Sequence, residues 1–540
     1  MRFSIGTDDF KRIRTEKDEY GQVCFYCDKS SFIRDIINDG SSVVVFPRPR
    51  RFGKSLNLSM LKYFFDIEQP ENVELFAGLK IAEHKNIVTE HQGKYPVVSI
   101  SFKDLHSENY DSFIIDLKKY ICECYRNFKY LLDSPLLDSD LKDKIKSYND
   151  ENFKTNDIKE SLWYLTKALH DHHGQCAVVL LDEYDTPLQE AYVNQYFDQA
   201  IKPFRAMMGK VFKGNDFLYK GVITGITRIA KESLFSGVNN LDVYDITRNK
   251  FAQYFGFTEE EVKHICDFMH LSDLKSWYNG YTFGDDLTIY NPWSVLKFCS
   301  NDYKLEPYWI NTSSNELIKD NLTADKLENV KALINGESID IEIEPFTVMN
   351  NLKGNNTAFW NLLFMSGFLT LDAEKRMRIP NKEIHYFFEK VVMEWFERVG
   401  NQKIIQDFLR SLLMGQVDSI QYYLQLMITD SFGIRDMNIP ARESFYHGFL
   451  LGLMLGLRER YEIKSNHESG KGYYDIALFP NDPIKDVGIV IEVKFKKSVE
   501  AALQQIEKQD YAAALKSRGC KNILAYGFAF DGKDVEVRLL

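Results

Sequence analysis

The feature that most restricts the fold is a β-branched run, Ser42-Val43-Val44-Val45-Phe46-Pro47. It leads into a basic turn and then a helical pattern from Leu56 to Phe65. Three more apolar runs of strand length follow at 97–102, 177–181 and 221–225, separated by amphipathic stretches such as 110–132 and 159–172. A short run with no polar face reads as a strand covered on both sides, and strands alternating with helices build a parallel sheet between helical layers. The pattern predicts such an α/β domain over roughly the first 240 residues.

From about 258 the pattern becomes mainly helical, with turn signals at Asn279-Gly280 and Asn291-Pro292. The last section predicts a helix at 443–460, extended runs at 473–479, 487–495 and 522–530, and a helix at 498–516. The expected class is α/β multidomain, with a parallel-sheet domain at 1–257, a helical connector at 258–430 and a small α/β domain at 431–540. Gly433 and Pro440 punctuate the last boundary.

Composition narrows the function. With 67 basic and 78 acidic residues among 540, the net charge is −11, which argues against coating nucleic acid by bulk charge. The last hundred residues hold 15 basic and 14 acidic side chains, so they stand near +1 and the remainder near −12. The longest apolar candidate, Phe449–Leu457, contains two glycines and is followed by Arg458, far short of the roughly 18 residues of a membrane span. Asp8 and Asp9 interrupt any secretory leader. Eight scattered cysteines form no disulfide framework, and Cys24 and Cys27 read as reduced thiols on a strand-like stretch. These signs predict a cytoplasmic protein with no membrane partner.

Between the first strand and its helix stands Arg48-Pro49-Arg50-Arg51-Phe52-Gly53-Lys54-Ser55. Binding a nucleotide requires backbone N–H groups converging on phosphate, a lysine for the β/γ oxygens and a hydroxyl for Mg²⁺. The segment Arg51-Phe52-Gly53-Lys54-Ser55 is the candidate for ATP, although Arg48 stands where the opening glycine of the usual phosphate loop belongs. The run Val178–Glu183 ends an apolar strand in two carboxylates, where open parallel sheets bind ligands. Asp182 is the expected Mg²⁺ ligand beside Ser55, and Glu183 the residue that polarises water. Asp185 fits either a further site residue or an Asx-turn. Thr224 ends the fourth strand, where it can sense the γ-phosphate. Arg228 is a candidate charge stabiliser, with a solvated or salt-bridged role the commoner alternative.

Near the C-terminus, Tyr473-Tyr474-Asp475 precedes Ile489-Val490-Ile491-Glu492-Val493-Lys494. Residues two apart share a strand face, so Glu492 and Lys494 project together, and pairing with the preceding strand brings Asp475 to them. Asp475 and Glu492 are expected to hold Mg²⁺, or Mn²⁺, with Lys494 orienting or deprotonating water for phosphodiester hydrolysis. A wet edge strand is the bland alternative, but the apolar neighbours on both faces argue against it. Glu443 lies on a helix just upstream and Gln505 on the helix just after, and this order resembles the PD-(D/E)XK nucleases.

The phrases RPRRFGKSLNLSMLKYFF (48–65), LLDEYDTPL (180–188), TGITRIAKESLFSGVNNL (224–241), WYNGYTFG (277–284), FYHGFLLGL (445–453) and IEVKFK (491–496) run in one order along nearly the whole chain. In that order they resemble the bacterial AAA-ATPase-like proteins with a C-terminal PD-(D/E)XK nuclease domain. The missing first glycine is usual in that family; Tyr473 stands where an arginine commonly precedes the tyrosine–aspartate pair. The resemblance implies a P-loop NTPase sheet, a restriction-endonuclease-like C-terminal domain, and ATP hydrolysis joined to metal-dependent cleavage of DNA. RNA is an equally readable target, because hydrolysis is read from the phosphate, and a homo-oligomer is left open. The competing function is a nucleotide-operated switch or scaffold whose nuclease-like domain binds without cutting. Trp277, Trp293, Trp309 and Trp360 are expected in the core rather than as base-stacking platforms.

Overall fold

The computed structural model describes residues 3–17, 20–227, 234–235, 238, 240–266, 268–310, 321–322, 326–344, 356–399, 402–431, 443–469, 472–531 and 534–540. The chain divides into two compact units, one of residues 1–314 and 340–383, the other of 315–339 and 384–540. Residues 258–430 are shared between them.

The first unit is built on β1 (Val43–Pro47), β2 (Val97–Ser101), β3 (Ala177–Asp182), β4 (Leu218–Gly225) and β5 (Leu241–Val243), hydrogen-bonded in the order β2-β3-β4-β1-β5. Every pairing is parallel. Helices Lys54–Phe65, Tyr110–Arg126, Ser161–His173 and Phe197–Phe212 flank the sheet. Every residue of β1 and β3 is buried, which is why these strands read as unbroken apolar runs. Each valine or leucine so buried contributes about 1.5–3 kcal/mol. β5 escaped the sequence reading, because Leu-Asp-Val is too short and mixed to signal a strand.

The same unit adds β6 (Phe257–Thr258), β7 (Tyr281–Phe283) and β8 (Leu287–Tyr290), an antiparallel sheet ordered β6-β8-β7, and the pair β9 (Thr370–Leu371) and β10 (Met377–Arg378). Both turn signals hold. Asn279-Gly280 links helix Leu271–Tyr278 to β7, and a side chain on Gly280, whose φ is +94°, would run into the Pro380 carbonyl. Asn291 caps helix Pro292–Ser300, its Oδ1 accepting from Trp293 N at 3.0 Å. The Cys24–Cys27 stretch is not a strand: only Val23 forms a bridge, to Lys17, and residues 24–29 have no regular ladder. All eight cysteines are free thiols, and burial pushes Cys27 up to about 12.

The second unit contains helix Glu443–Met454 and a mixed sheet of β11 (Tyr461–Ser469), β12 (Gly472–Pro480), β13 (Gly488–Phe495), β14 (Ile523–Asp531) and β15 (Asp534–Leu539), in that spatial order. β13 and β14 run parallel and the other pairs antiparallel, with helix Val499–Gln509 in the crossover. The helix expected over 443–460 ends at Met454, with one 3-10 turn to Leu457, and the chain then enters β11. The helix expected over 498–516 breaks at Asp510, whose φ is +51°.

Candidate nucleotide and nuclease sites

Because β1 lies beside β4 and β4 beside β3, their C-terminal ends gather three separate chain segments. Helix Lys54–Phe65 starts from Gly53, which has φ +83° and offers no side chain to cap the first N–H groups. Such a helix start is suited to an anion. Lys54 is only 5% exposed, and its Nζ donates to the carbonyls of Arg48 and Pro49, each at 2.9 Å. Burial pulls its pKa below the usual lysine range, against the opposing pull of Glu183 and Asp182. Ser55 Oγ and Thr224 Oγ1 donate to the two oxygens of Asp182, both at 2.5 Å. Glu183 follows at φ +49°, and burial raises its carboxyl above the ordinary range, partly offset by Lys54.

Gly53, Lys54, Ser55, Asp182, Glu183 and Thr224 therefore converge. Phe52 contributes only backbone to this space, since its fully buried ring packs on Tyr281 and Phe283 with centroids 5.0 and 5.6 Å away. The Arg51 guanidinium stacks over Trp293 at 4.2 Å. Arg228 lies outside the described residues.

Arg48 explains the missing glycine. Positive φ falls at Arg51 and Gly53 instead, so position 48 needs no glycine. Its side chain is fully buried between Phe255 (4.8 Å) and Phe283 (5.4 Å), and Nη1 donates to the carbonyls of Pro47 and Tyr244 at 2.9 and 2.6 Å. Burial lowers this guanidinium to about 9, still charged at neutral pH.

Asp185 is a latch. Fully buried, its carboxylate accepts from Ile226 N (3.0 Å), Thr227 N (2.7 Å), Thr227 Oγ1 (2.7 Å) and Gln189 Nε2 (2.8 Å). Tyr184 adds its hydroxyl to the Thr227 carbonyl at 2.8 Å, and a side chain on Gly225 would overlap Asp185 and Tyr184. The turn after β3 is thus tied to the loop after β4. Asp185→Ala leaves buried donors unpaired and is expected to lower stability by about 3 kcal/mol. Chemical denaturation of the full chain measures this, and an unchanged midpoint refutes the latch.

In the second unit, β12 and β13 pair with Ile476 opposite Ile491, and continuing that register sets Asp475 opposite Glu492. Val493 N donates to Asp475 Oδ2 at 2.7 Å, while Lys494 Nζ donates to Glu492 Oε1 at 2.6 Å. Glu492 is 1% and Lys494 6% exposed, so this is no wet edge strand. His447 Nε2 donates to the Asp475 carbonyl at 2.7 Å. Gln505, half-buried on helix Val499–Gln509, donates to Tyr511 Oη at 3.0 Å. Tyr511 is a site residue that sequence reasoning missed: its phenol, raised in pKa by burial, lies within electrostatic reach of Glu492, Asp475 and Lys494. Its place one residue past the helix-ending Asp510 was the available signal. Glu443 begins helix Glu443–Met454, but its side chain lies outside the described residues. Among the described residues no three His, Cys, Asp or Glu side chains converge as a metal cluster, and no helix is long and apolar enough to cross a membrane.

A parallel sheet with this Gly53-Lys54-Ser55 loop and a mixed sheet with this carboxylate–lysine set define two kinds of domain, and comparison with known families agrees. Residues 4–235 match the family model of a predicted AAA-ATPase, and residues 441–538 match that of the PD-(D/E)XK nuclease superfamily. The chain therefore joins an AAA-ATPase-like domain to a PD-(D/E)XK nuclease superfamily domain. It is similar along its length to an uncharacterized protein in the vnfD 5'region of Azotobacter chroococcum mcd 1, at 26% identity over 568 residues, covering 99% of this chain and 98% of the relative.

Proposed function

We propose that this protein is a cytoplasmic ATPase that hydrolyses ATP at the ends of β1, β3 and β4 and uses its C-terminal domain for metal-dependent cleavage of DNA. The observation that carries this reading is the convergence of Lys54, Ser55, Asp182, Glu183 and Thr224 from three distant segments. The residues fit a magnesium nucleotide: a helix start without a side-chain cap, a buried lysine held among the described residues by two loop carbonyls, and a hydroxyl–carboxylate pair. Lys54 would exchange those carbonyls for the β/γ-phosphate oxygens, and Ser55 with Asp182 would hold Mg²⁺. Glu183, its proton affinity raised by burial, would accept a proton from the attacking water. A divalent ion held by Ser55 and Asp182 would supply charge neutralisation at the phosphate oxygens.

In the C-terminal domain Asp475 and Glu492 would hold Mg²⁺ or Mn²⁺ together with backbone carbonyls. Lys494 would orient or deprotonate the water, and Gln505 with Tyr511 would border the phosphate. The net charge of −11 and the arginine in place of the opening glycine favour the runner-up, a nucleotide-operated switch whose nuclease-like domain binds without cutting.

Glu183→Gln is expected to bind ATP and trap it unhydrolysed, whereas Asp182→Ala loses Mg²⁺-dependent binding. Equilibrium binding and single-turnover assays measure both, and equal loss of binding would assign Glu183 a structural role. Linear, circular and single-stranded DNA and RNA, each with either metal and with or without ATP, separate nuclease from switch. Binding of ATP with no cleavage of any substrate selects the switch.

A further inference from the structure

The phosphate loop is gripped from outside its own strand and helix, and one buried carboxyl group underlies both grips. Glu383 stands at the start of helix Lys382–Val399, fully buried, and takes no part in the chemistry above. Its Oε1 accepts from Trp309 N at 2.6 Å, and its Oε2 pairs with Ser294 Oγ at 2.8 Å. Trp309, also fully buried, donates its indole Nε1–H to the Arg50 carbonyl at 3.1 Å. Ser294 belongs to helix Pro292–Ser300, whose Trp293 carries the Arg51 guanidinium. One carboxyl thus fixes the two elements that hold Arg50 and Arg51, next to Phe52-Gly53-Lys54. Both arginines act electrostatically on Glu183.

We infer that Glu383 is a positioning residue for nucleotide hydrolysis, holding Arg50 and Arg51 toward Glu183 through Trp309 and the Trp293 helix. The inference rests on the proposed ATP hydrolysis. Burial pushes the Glu383 carboxyl up to about 8, against the lowering pull of the Trp309 N–H and the Ser294 hydroxyl. At neutral pH the group is therefore mostly a neutral hydrogen-bonding carboxyl, and glutamine can keep both contacts: an oxygen for Trp309 N and, with the Ser294 hydroxyl turned to accept where it now donates, an N–H for Ser294 Oγ. A tie needed only to pack the helix would affect stability; a tie that positions the loop affects turnover.

The test measures kcat and KM for ATP together with Tm on the full-length wild type, Glu383→Ala, Glu383→Gln and Trp309→Phe. Removing the tie misplaces the loop by a fraction of an ångström, so Glu383→Ala should lower kcat about tenfold or more, with KM within about threefold of wild type. Glu383→Gln should stay within about threefold of wild-type kcat, because it keeps both bonds. Trp309→Phe removes only the indole N–H to Arg50 and should lower kcat by about threefold to tenfold with little change in Tm. These two variants decide the matter if Glu383→Ala does not fold. Wild-type kcat in Trp309→Phe, or a Glu383→Gln enzyme as slow as a folded Glu383→Ala, overturns the inference. A wild-type protein that neither binds nor hydrolyses ATP overturns the proposed function itself, and this inference with it.

Discussion

Lys54→Ala should lower ATP turnover by about a hundredfold to a thousandfold while leaving the fold intact. The side chain is buried among carboxylates at 182, 183 and 185, and among the described residues its Nζ hydrogen-bonds to two carbonyls of its own loop. Those carbonyls can exchange the ammonium for water in the variant, so the structural cost is small. The phosphates have no such substitute, because charge that develops on the β/γ oxygens meets a preorganised ammonium only at this position. Arg50 and Arg51 remain, yet Arg51 is already stacked on Trp293. The check is steady-state turnover alongside Tm, and a variant near the wild-type rate would show that the loop is not the active site.

Glu492→Gln should eliminate the proposed cleavage, and with it the stabilisation expected of the C-terminal domain when Mn²⁺ is added. A ligand that binds only the folded form adds about 2.7 kcal/mol at a concentration one hundred times its Kd. The choice of glutamine matters because Glu492 and Lys494 form a buried ion pair. Removing one partner of such a pair costs about 3–5 kcal/mol by leaving the other charge uncompensated, so alanine would mix misfolding with lost chemistry. Glutamine is neutral too, but it keeps the side-chain volume and an acceptor for Lys494 Nζ, so it costs less than alanine. Lys494→Ala is expected to lose cleavage yet gain at least as much from Mn²⁺ as the wild type, since the ion would replace the missing positive charge beside Glu492. Thermal scans with and without Mn²⁺ and a DNA cleavage assay measure these effects. Undiminished Mn²⁺ stabilisation of a protein carrying both Asp475→Asn and Glu492→Gln would remove the proposed metal site.

What the sequence alone determined were the features carried by neighbours in the chain. β1 and β3 were legible because strands buried on both faces must be largely apolar, whereas β4 was legible only over 221–225, since Tyr219 and Lys220 interrupt the run before it. Gly53-Lys54-Ser55, Asp182-Glu183 and Glu492-Val493-Lys494 were legible because each set spans no more than three residues, and a strand or helix end fixes which way they point. β11 was not legible, since it alternates apolar and polar residues only near its start and its partner supplies the rest of its hydrogen bonds.

Tertiary structure decided everything that depends on residues far apart in the chain. It turned Arg48 from a defect in a phosphate loop into a brace between two phenylalanines, and Asp185 from a turn residue into a latch. It brought Tyr511 within electrostatic reach of Glu492 and linked Glu383 to Trp309 across 74 residues and Trp309 to Arg50 across 259. No local periodicity encodes such contacts. A buried hydrogen bond demands only that its partner arrive, and where along the chain the partner lies is settled by how the strands and helices pack.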